Sequence, residues 1–576
     1  MYMKSISNHD MTLSKVFLSF VLASFLSLGC AQAKVHYHKW EITYQYKSPD
    51  CLNKLAITIN GQTPGPTIYA SQGDTIVVEV KNSLLTENTA IHWHGIRQIG
   101  TPWMDGTEGV TQCPILPSDT FIYRFVVDRL GTYMYHSHYG MQRSAGLNGM
   151  IVVKVPEGFK EPFTYDREYN ILLNDWWHNS TYDQATGLLM PENQFKFVGE
   201  PQSLLLNGRG RFNCSLAASG TCNASHPECA PLKLIVVPGR TYLLRIASVT
   251  SLSALNFEIE GHSLTVVEAD GHYVDPFIVK NLNIYSGETY SVILRADQNP
   301  NRNYWLASNV VSRKPGTPTG TGLLNYYGIP QGRFPPTAPP SGPLWNDTYY
   351  RMKQSWATRA HPNFNEPPPA KSNRVIILLN TQNRIDGLTR WSLNNVSHDF
   401  PHTPYLIAVK NKLRHVFEQK PPPETYDIKN YDINVPPPNR NATRSNAIYK
   451  LQFGSVVDLI LQNANTLTAN NSETHPWHLH GHDFWVLGSG WGKFNPETDP
   501  KNYNLKDPIM KNNVALQPYG WTAIRFKADN PGVWAFHCHI ESHFFMGMGI
   551  VFEEGVNRLG KLPTSIMGCG KSKVGN

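Results

Sequence analysis

Apolar residues in this chain fall in short runs closed by Gly, Pro, Asn or Asp, and no long stretch keeps a helical apolar period. The runs predict strands, and their abundance predicts an all-β protein. The runs also repeat. Gly73-Asp74-Thr75-Ile76-Val77-Val78-Glu79-Val80-Lys81-Asn82 leads to His92-Trp93-His94, and Gly454 to Asn463 leads to His475-Pro476-Trp477-His478-Leu479-His480. Phe121 to Val127 runs into Gly131-Thr132-Tyr133-Met134-Tyr135-His136-Ser137-His138, and Thr522 to Ala528 runs into Gly532 to His539. A third copy, Tyr290 to Asp297 followed by Tyr304-Trp305-Leu306, has Ala307, Ser308 and Asn309 where the others carry His-x-His. Three copies predict three β-barrel or sandwich domains, the middle one structural.

Boundaries are expected near Pro162 and Asn373, giving domains 34–161, 162–373 and 374–576 behind a leader at 1–33. Pro-rich stretches 335–343 and 366–369 read as a surface connection, and 421–438 as an insertion loop. With 42 Pro and 43 Gly in 576 residues, turns are plentiful. The net charge of +7 is modest and its basic residues are scattered, so no nucleic-acid surface is expected.

Lys4 and Lys15, the apolar run Val16 to Leu28 and the small residues Ala31-Gln32-Ala33 form a secretory signal pattern, with Met1 or Met11 as the start. A soluble extracellular protein without a membrane span is the expectation after cleavage. Cysteine usage agrees. Beyond Cys30 of the leader, seven cysteines remain, and if Cys538 binds a metal, six are left for three disulfides. Asn-x-Ser/Thr acceptors occur at Asn179, Asn213, Asn223, Asn346, Asn395, Asn441 and Asn470.

The chemistry is concentrated in histidine motifs. His537-Cys538-His539 with His543 and Met548 supplies a thiolate, imidazoles and a thioether within twelve residues. Cysteine and histidine in the strong plane with methionine on the axis is what a blue-copper centre uses. On a strand, Cys538 would face one side and His537 and His539 the other, so the backbone would join two metal sites. A histidine-rich zinc turn is the plain alternative. The pairs His92/His94, His136/His138, His478/His480 and His537/His539 give eight imidazoles from the first and third units, enough for three ions only where those units meet.

These motifs resemble the multicopper oxidases over essentially the whole mature chain, and within them the plant ascorbate oxidase branch. The resemblance rests on His-Trp-His-Gly at 92, Gly-Met-Gln-Arg-Ser-Ala-Gly at 140, Glu-Pro-Gln at 200, Leu-Leu-Asn-Gly-Arg-Gly at 205, His-Pro-Trp-His-Leu-His-Gly-His at 475, Pro-Tyr-Gly-Trp-Thr-Ala-Ile-Arg-Phe at 518 and the last copper motif. It implies three cupredoxin-like Greek-key domains and four coppers. The type 1 ion would take His475, Cys538, His543 and Met548, and the type 2 ion His92 and His478. The type 3 pair would take His94, His136 and His539 on one ion, and His138, His480 and His537 on the other. It also implies disulfides Cys51–Cys229, Cys113–Cys569 and Cys214–Cys222.

By the same resemblance the activity would be one-electron oxidation of L-ascorbate coupled to reduction of O2 to water, in the apoplast or cell wall, by a homodimer. The electron would enter through His543, beside substrate contacts Trp391 and Phe197. Asp105, in Trp103-Met104-Asp105-Gly106, would steer protons near the cluster; an ordinary turn aspartate is the alternative. Phe197 departs from the branch, which has tryptophan there, and so removes an indole N–H donor. That departure keeps a laccase-like oxidation of phenols as the competing activity. A ligand-free wall protein or a simple electron carrier would leave the histidines without use.

Overall fold

The computed structural model describes residues 33–438 and 441–573. The signal pattern lies outside the described residues, apart from Ala33 at its end. Three pairs of sheets follow one another along the chain. Each contains the same three-strand frame. Thr75–Asn82 lies parallel to Val35–Lys47 and antiparallel to Thr120–Val126. Thr241–Ser248 lies parallel to Arg167–Trp176 and antiparallel to Thr289–Arg295. Val456–Asn463 lies parallel to Arg374–Ile385 and antiparallel to Gly520–Lys527. Parallel neighbours reached by long connections give each unit its Greek-key character.

The facing sheets repeat as well. Gly131–Ser137 pairs with Asn148–Lys154 and Ile91–His92, and Gly532–Cys538 pairs with Gly549–Glu554 and His475–Leu479. In the middle unit Tyr304–Val311 holds that place between Gly320–Tyr326 and Ala254–Ile259. Cupredoxin-like sandwiches of this kind bury alternate residues from both sheets. Strand Thr120–Val126 shows the alternation cleanly: Phe121, Tyr123 and Phe125 point inward and their neighbours outward.

The first core does not stop at its own unit. Ile91, Trp93 and Tyr133 share it with Tyr405, Leu406 and Ile407 and with Val533 and Ala535 of the last unit. Continuous apolar packing thus joins the two histidine-bearing units. Disulfides add covalent ties: Cys51–Cys229 spans 178 residues, Cys113–Cys569 spans 456, and Cys214–Cys222 closes a local loop.

The units also share buried charge. Asp483 lies 3.0 Å from Arg129 Nε of the first unit and 3.4 Å from His272 Nε2 of the middle one. Lys511 Nζ lies 2.6 Å from Glu288 Oε1 and 3.7 Å from Asp270 Oδ2, both in the middle unit. Helices Thr348–Ala357 and Tyr405–Lys410 interrupt the all-strand pattern expected from the sequence. They sit in connections, where no sheet edge competes for them. No helix among the described residues is long and apolar enough to cross a membrane.

Candidate metal centre

Strand register builds the site. His92 stands opposite His136 in one ladder, and His478 stands opposite His537 in another. His138 continues the first ladder by donating its N–H to Ala90 O at 2.9 Å, and His539 N donates to Pro476 O at 2.7 Å. Alternation does the rest. His537 and His539 present stacked rings 6.0 Å apart on one side of the backbone. Cys538 Sγ points away, to within 3.7 Å of His475 Nδ1 and 3.8 Å of His543 Nδ1.

Five groups of potential ligands result among the described residues, all buried except the half-buried His138: His92, His94 and His478; His94, His136 and His539; His138, His480 and His537; His475, Cys538 and His543; and His92, Asp105 and His480. Met548 is buried in the core around Cys538. Its backbone is tied at both ends, since its carbonyl accepts from Cys538 N at 3.1 Å and its N–H donates to His543 O at 3.0 Å.

The donor set fits metal ions. His92, His136, His478 and His537 each donate Nδ1–H to a backbone carbonyl, at 2.8, 2.9, 2.8 and 2.9 Å. Their Nε2 lone pairs are therefore turned inward. There Nε2 of His480 and His537 stand 3.0 Å apart, those of His136 and His539 3.2 Å, and those of His92 and His478 3.3 Å. At the His480/His537 and His92/His478 pairs, facing lone pairs repel unless a cation lies among them, whereas at His539 the Arg143 guanidinium Nη1 already lies 2.7 Å from Nδ1 and 3.1 Å from Nε2. His94 has no hydrogen-bond partner at either ring nitrogen. Burial lowers the pKa of His94, His136, His138, His478, His480 and His539 well below the usual value, and neighbouring charges push them further down; His475 and His537 fall to about 3. Neutral imidazoles are the ligand form. Burial, helped by the Glu473 charge, pushes the Cys538 thiol up, so a thiolate there needs a cation beside it.

Asp105 Oδ2 accepts from His480 Nδ1 at 2.8 Å and from the Thr107 hydroxyl at 2.5 Å, and Oδ1 lies 3.3 Å from His92 Nδ1. Burial would raise its pKa, but His92 and these hydrogen bonds hold it below the ordinary carboxylate value. Gly106 makes the turn possible. Its φ is +79°, and a Cβ would fall 1.7 Å from Ile91 O.

Several partners escaped the sequence reading. The Ser286 hydroxyl of the middle unit lies 2.8 Å from His539 Nδ1, and Arg143 Nη2 donates to His539 O at 2.6 Å. Glu541 in turn accepts from the backbone N–H groups of Arg143 and Ser144 at 2.9 and 3.0 Å. Gly287 lets the middle unit come this close, since a Cβ would meet Asn513 Nδ2 at 2.2 Å and His539 Cγ at 2.9 Å. Arg143 lies inside a motif that the resemblance used, but nothing local marks its role.

Two cavities flank the centre. One, of about 380 Å³, reaches His136, His138, His537 and His539 past Glu108, Phe400 and Phe544. The other, of about 410 Å³, lies on the His543 side and is lined by Phe197, Gln382, Arg384 and Glu473. Glu473 Oε2 is 3.3 Å from His543 Nε2, and its side chain is 36 % exposed. Phe197 is 39 % exposed with its ring 6.0 Å from that of His543. Trp391 is only 1 % exposed, its ring 4.7 Å from His543 and 4.9 Å from His475.

Three repeated sandwiches with imidazoles gathered between the outer two, and a cysteine site one residue away, define a protein built to hold several metal ions side by side. The multicopper oxidase family pattern matches residues 41–158, 167–329 and 417–558, and the chain belongs to that family. Among its relatives is an L-ascorbate oxidase of Cucumis sativus, 52 % identical over 97 % of each chain. Laccase-11 of Arabidopsis thaliana is 33 % identical over 94 % of this chain and 96 % of its own. A laccase structure from Botrytis aclada superimposes with a TM-score of 0.75 at 28 % identity, covering 92 % of this chain and 90 % of that one.

Proposed function

We propose that this chain is a secreted oxidase that couples one-electron oxidation of L-ascorbate to the four-electron reduction of O2 to two waters. The observation that carries the reading is the segment His537-Cys538-His539, which presents its thiol to one ligand group and its two imidazoles to two further groups on the opposite side. Kinship with the L-ascorbate oxidase of Cucumis sativus supports ascorbate as donor. The three disulfides support an oxidising, extracellular compartment such as the apoplast.

His475, Cys538, His543 and Met548 would hold a type 1 copper, and His92 and His478 a type 2 copper. His94, His136 and His539 would hold one type 3 ion, and His138, His480 and His537 the other. Copper bound there supplies one-electron chemistry and the capacity to collect four electrons for one O2. Cys538 and its two flanking peptides form the short covalent connection between the groups. Asp105, held as a carboxylate, fixes the His480 tautomer through Oδ2, and its Oδ1 lies 3.3 Å from His92 Nδ1, a place from which its charge would steer protons near the cluster. On the donor side, Phe197 offers an exposed ring face, Trp391 backs the His543 imidazole, and His543 is the entry point.

One observation favours laccase-like oxidation of phenols as the second reading: Phe197 offers a ring but no donor to an oxygen-rich substrate. Oxygen uptake by the copper-loaded protein, with ascorbate and a simple phenol in parallel, separates the two. Fast uptake with ascorbate, abolished in Cys538→Ser, is the expected result. Uptake with the phenol alone would move the chain to the second reading, and none with either donor would refute both.

A further inference from the structure

Helix Thr348–Ala357 carries Tyr349, Lys353 and Trp356 four and three residues apart, so the three share one stripe. The opposite face is fixed to the body. Gln354 Oε1 accepts from Asn283 N at 2.8 Å and its Nε2 donates to Asn283 O at 2.7 Å, while Arg351 Nη1 donates to Trp345 O at 2.7 Å. The stripe with the rings therefore faces outward. Tyr349 is 54 % exposed and Trp356 38 %. Trp491, at the end of strand Phe484–Trp491, joins them from the C-terminal unit and is 48 % exposed. Its ring stacks on Tyr349 at 6.0 Å and meets Trp356 edge-on at 5.4 Å. Three large rings gathered on an anchored, water-facing surface mark a place that something covers.

The covering group starts within the same turn. Asn346-Asp347-Thr348 is an Asn-x-Thr acceptor, and Asn346 is exposed, three residues ahead of Tyr349. The Asp347 side chain caps the helix by accepting from Tyr350 N at 2.9 Å, and Thr348 N donates to Asn346 O at 2.9 Å. The acceptor thus leaves from a fixed point beside the rings. Pyranose sugars have C–H faces that lie flat on aromatic rings and hydroxyl edges that stay in water. Lys353 Nζ, 4.6 Å above the Tyr349 ring, supplies a donor to such an edge. A tethered sugar meets the rings at a millimolar effective concentration, so weak stacking is sufficient.

We propose that Asn346 carries an N-linked glycan whose first sugars lie on Tyr349, Trp356 and Trp491. The covalent step joins Asn346 Nδ2 to the anomeric carbon of a lipid-linked sugar diphosphate. The bond from that carbon to the diphosphate oxygen breaks, and one amide proton leaves with the lipid diphosphate. No oxidant or reductant is required. The inference rests on the secretory reading given above.

The test uses the full secreted protein. Glycopeptide mass spectrometry reads occupancy at every acceptor, and hydroxyl-radical footprinting reads exposure of the three rings. Asn346 is expected to be occupied. Asn346→Gln should raise labelling of Tyr349, Trp356 and Trp491 at least threefold, with oxygen uptake unchanged, and Asn470→Gln should leave ring labelling as it was. Thr348→Ala should match Asn346→Gln, because both remove the acceptor. An empty Asn346 beside other occupied acceptors overturns the inference alone. Rings equally protected in Asn346→Gln overturn it in favour of a second copy or another partner. All acceptors empty overturns the secretory reading and the inference with it.

Discussion

Lys511→Met tests how the middle unit supports the metal centre. Lys511 Nζ lies 2.6 Å from Glu288 Oε1, 3.3 Å from the Tyr290 hydroxyl and 3.7 Å from Asp270 Oδ2, in a fully buried pocket. Methionine keeps most of the volume and removes the cation, so two carboxylates are left facing each other. Breaking a buried ion pair in this way costs about 3–5 kcal/mol. At a urea dependence of about 3 kcal/mol per molar, the unfolding midpoint should fall by about 1–2 M. Local damage should follow as well. The next residues hold the centre: Asn512 O accepts from His478 Nδ1 at 2.8 Å, and Asn513 N donates to Asp270 Oδ2 at 3.1 Å. Weaker copper retention at the His92/His478 pair is therefore expected beside the lost stability.

The pH dependence gives the sharper check. Burial pushes Asp270 up to about 7 against the pull of Lys511, and the Glu288 charge adds to the rise. Without the lysine it must rise further. A carboxyl with a raised native pKa binds more protons folded than unfolded, so stability falls as pH rises between the unfolded value, about 4, and the native one. The deficit of Lys511→Met should be largest near pH 8 and shrink towards pH 5, as read by tryptophan fluorescence in urea. A deficit below about 1 kcal/mol at pH 8, or one that grows in acid, would refute this account of the pocket.

Other perturbations address single features. Asp483→Asn should loosen the junction of the three units by about 3 kcal/mol. Its depressed pKa, set by His272 and Arg129 against burial, means that the wild-type advantage holds above about pH 4 and fades only below it in acid-unfolding curves. Gly287→Ala should crowd His539, since its Cβ would stand 2.9 Å from the ring, and should lower copper content at that site by elemental analysis while the blue absorption of the Cys538 site survives. Phe197→Trp should restore a ring N–H and lower the KM for ascorbate about 2–10-fold, the equivalent of about 0.5–1.5 kcal/mol, with kcat nearly unchanged; an unaltered KM would remove Phe197 from the donor site.

Much of the centre is legible in the sequence because strands have period two. His-x-His must place both rings on one face, and a cysteine between two histidines must face away, so His537, Cys538 and His539 declare their geometry without any tertiary knowledge. The repeat then tells which units must meet. What stays hidden is whatever depends on contacts between distant segments. Ser286 reaches His539 from a unit that carries no imidazole pair, and nothing local distinguishes it from any other serine. Arg143 and Glu473 are charged residues beside motifs, and only the fold shows that one clamps His539 and the other sits against His543. The burial of Trp391 is equally invisible, because a tryptophan in an alternating strand reads the same whether it faces a donor or a core.

The meeting of His92 with His478, 386 residues later, and of His136 with His539, 403 residues later, sets a clock on biosynthesis. At about 5–20 residues per second, the first ligands wait roughly 20–80 s for their partners to emerge from the ribosome. During that interval the early histidines form only half a cage. A chain cut short of His475 would carry the imidazoles of the first unit alone, without the facing set from the last.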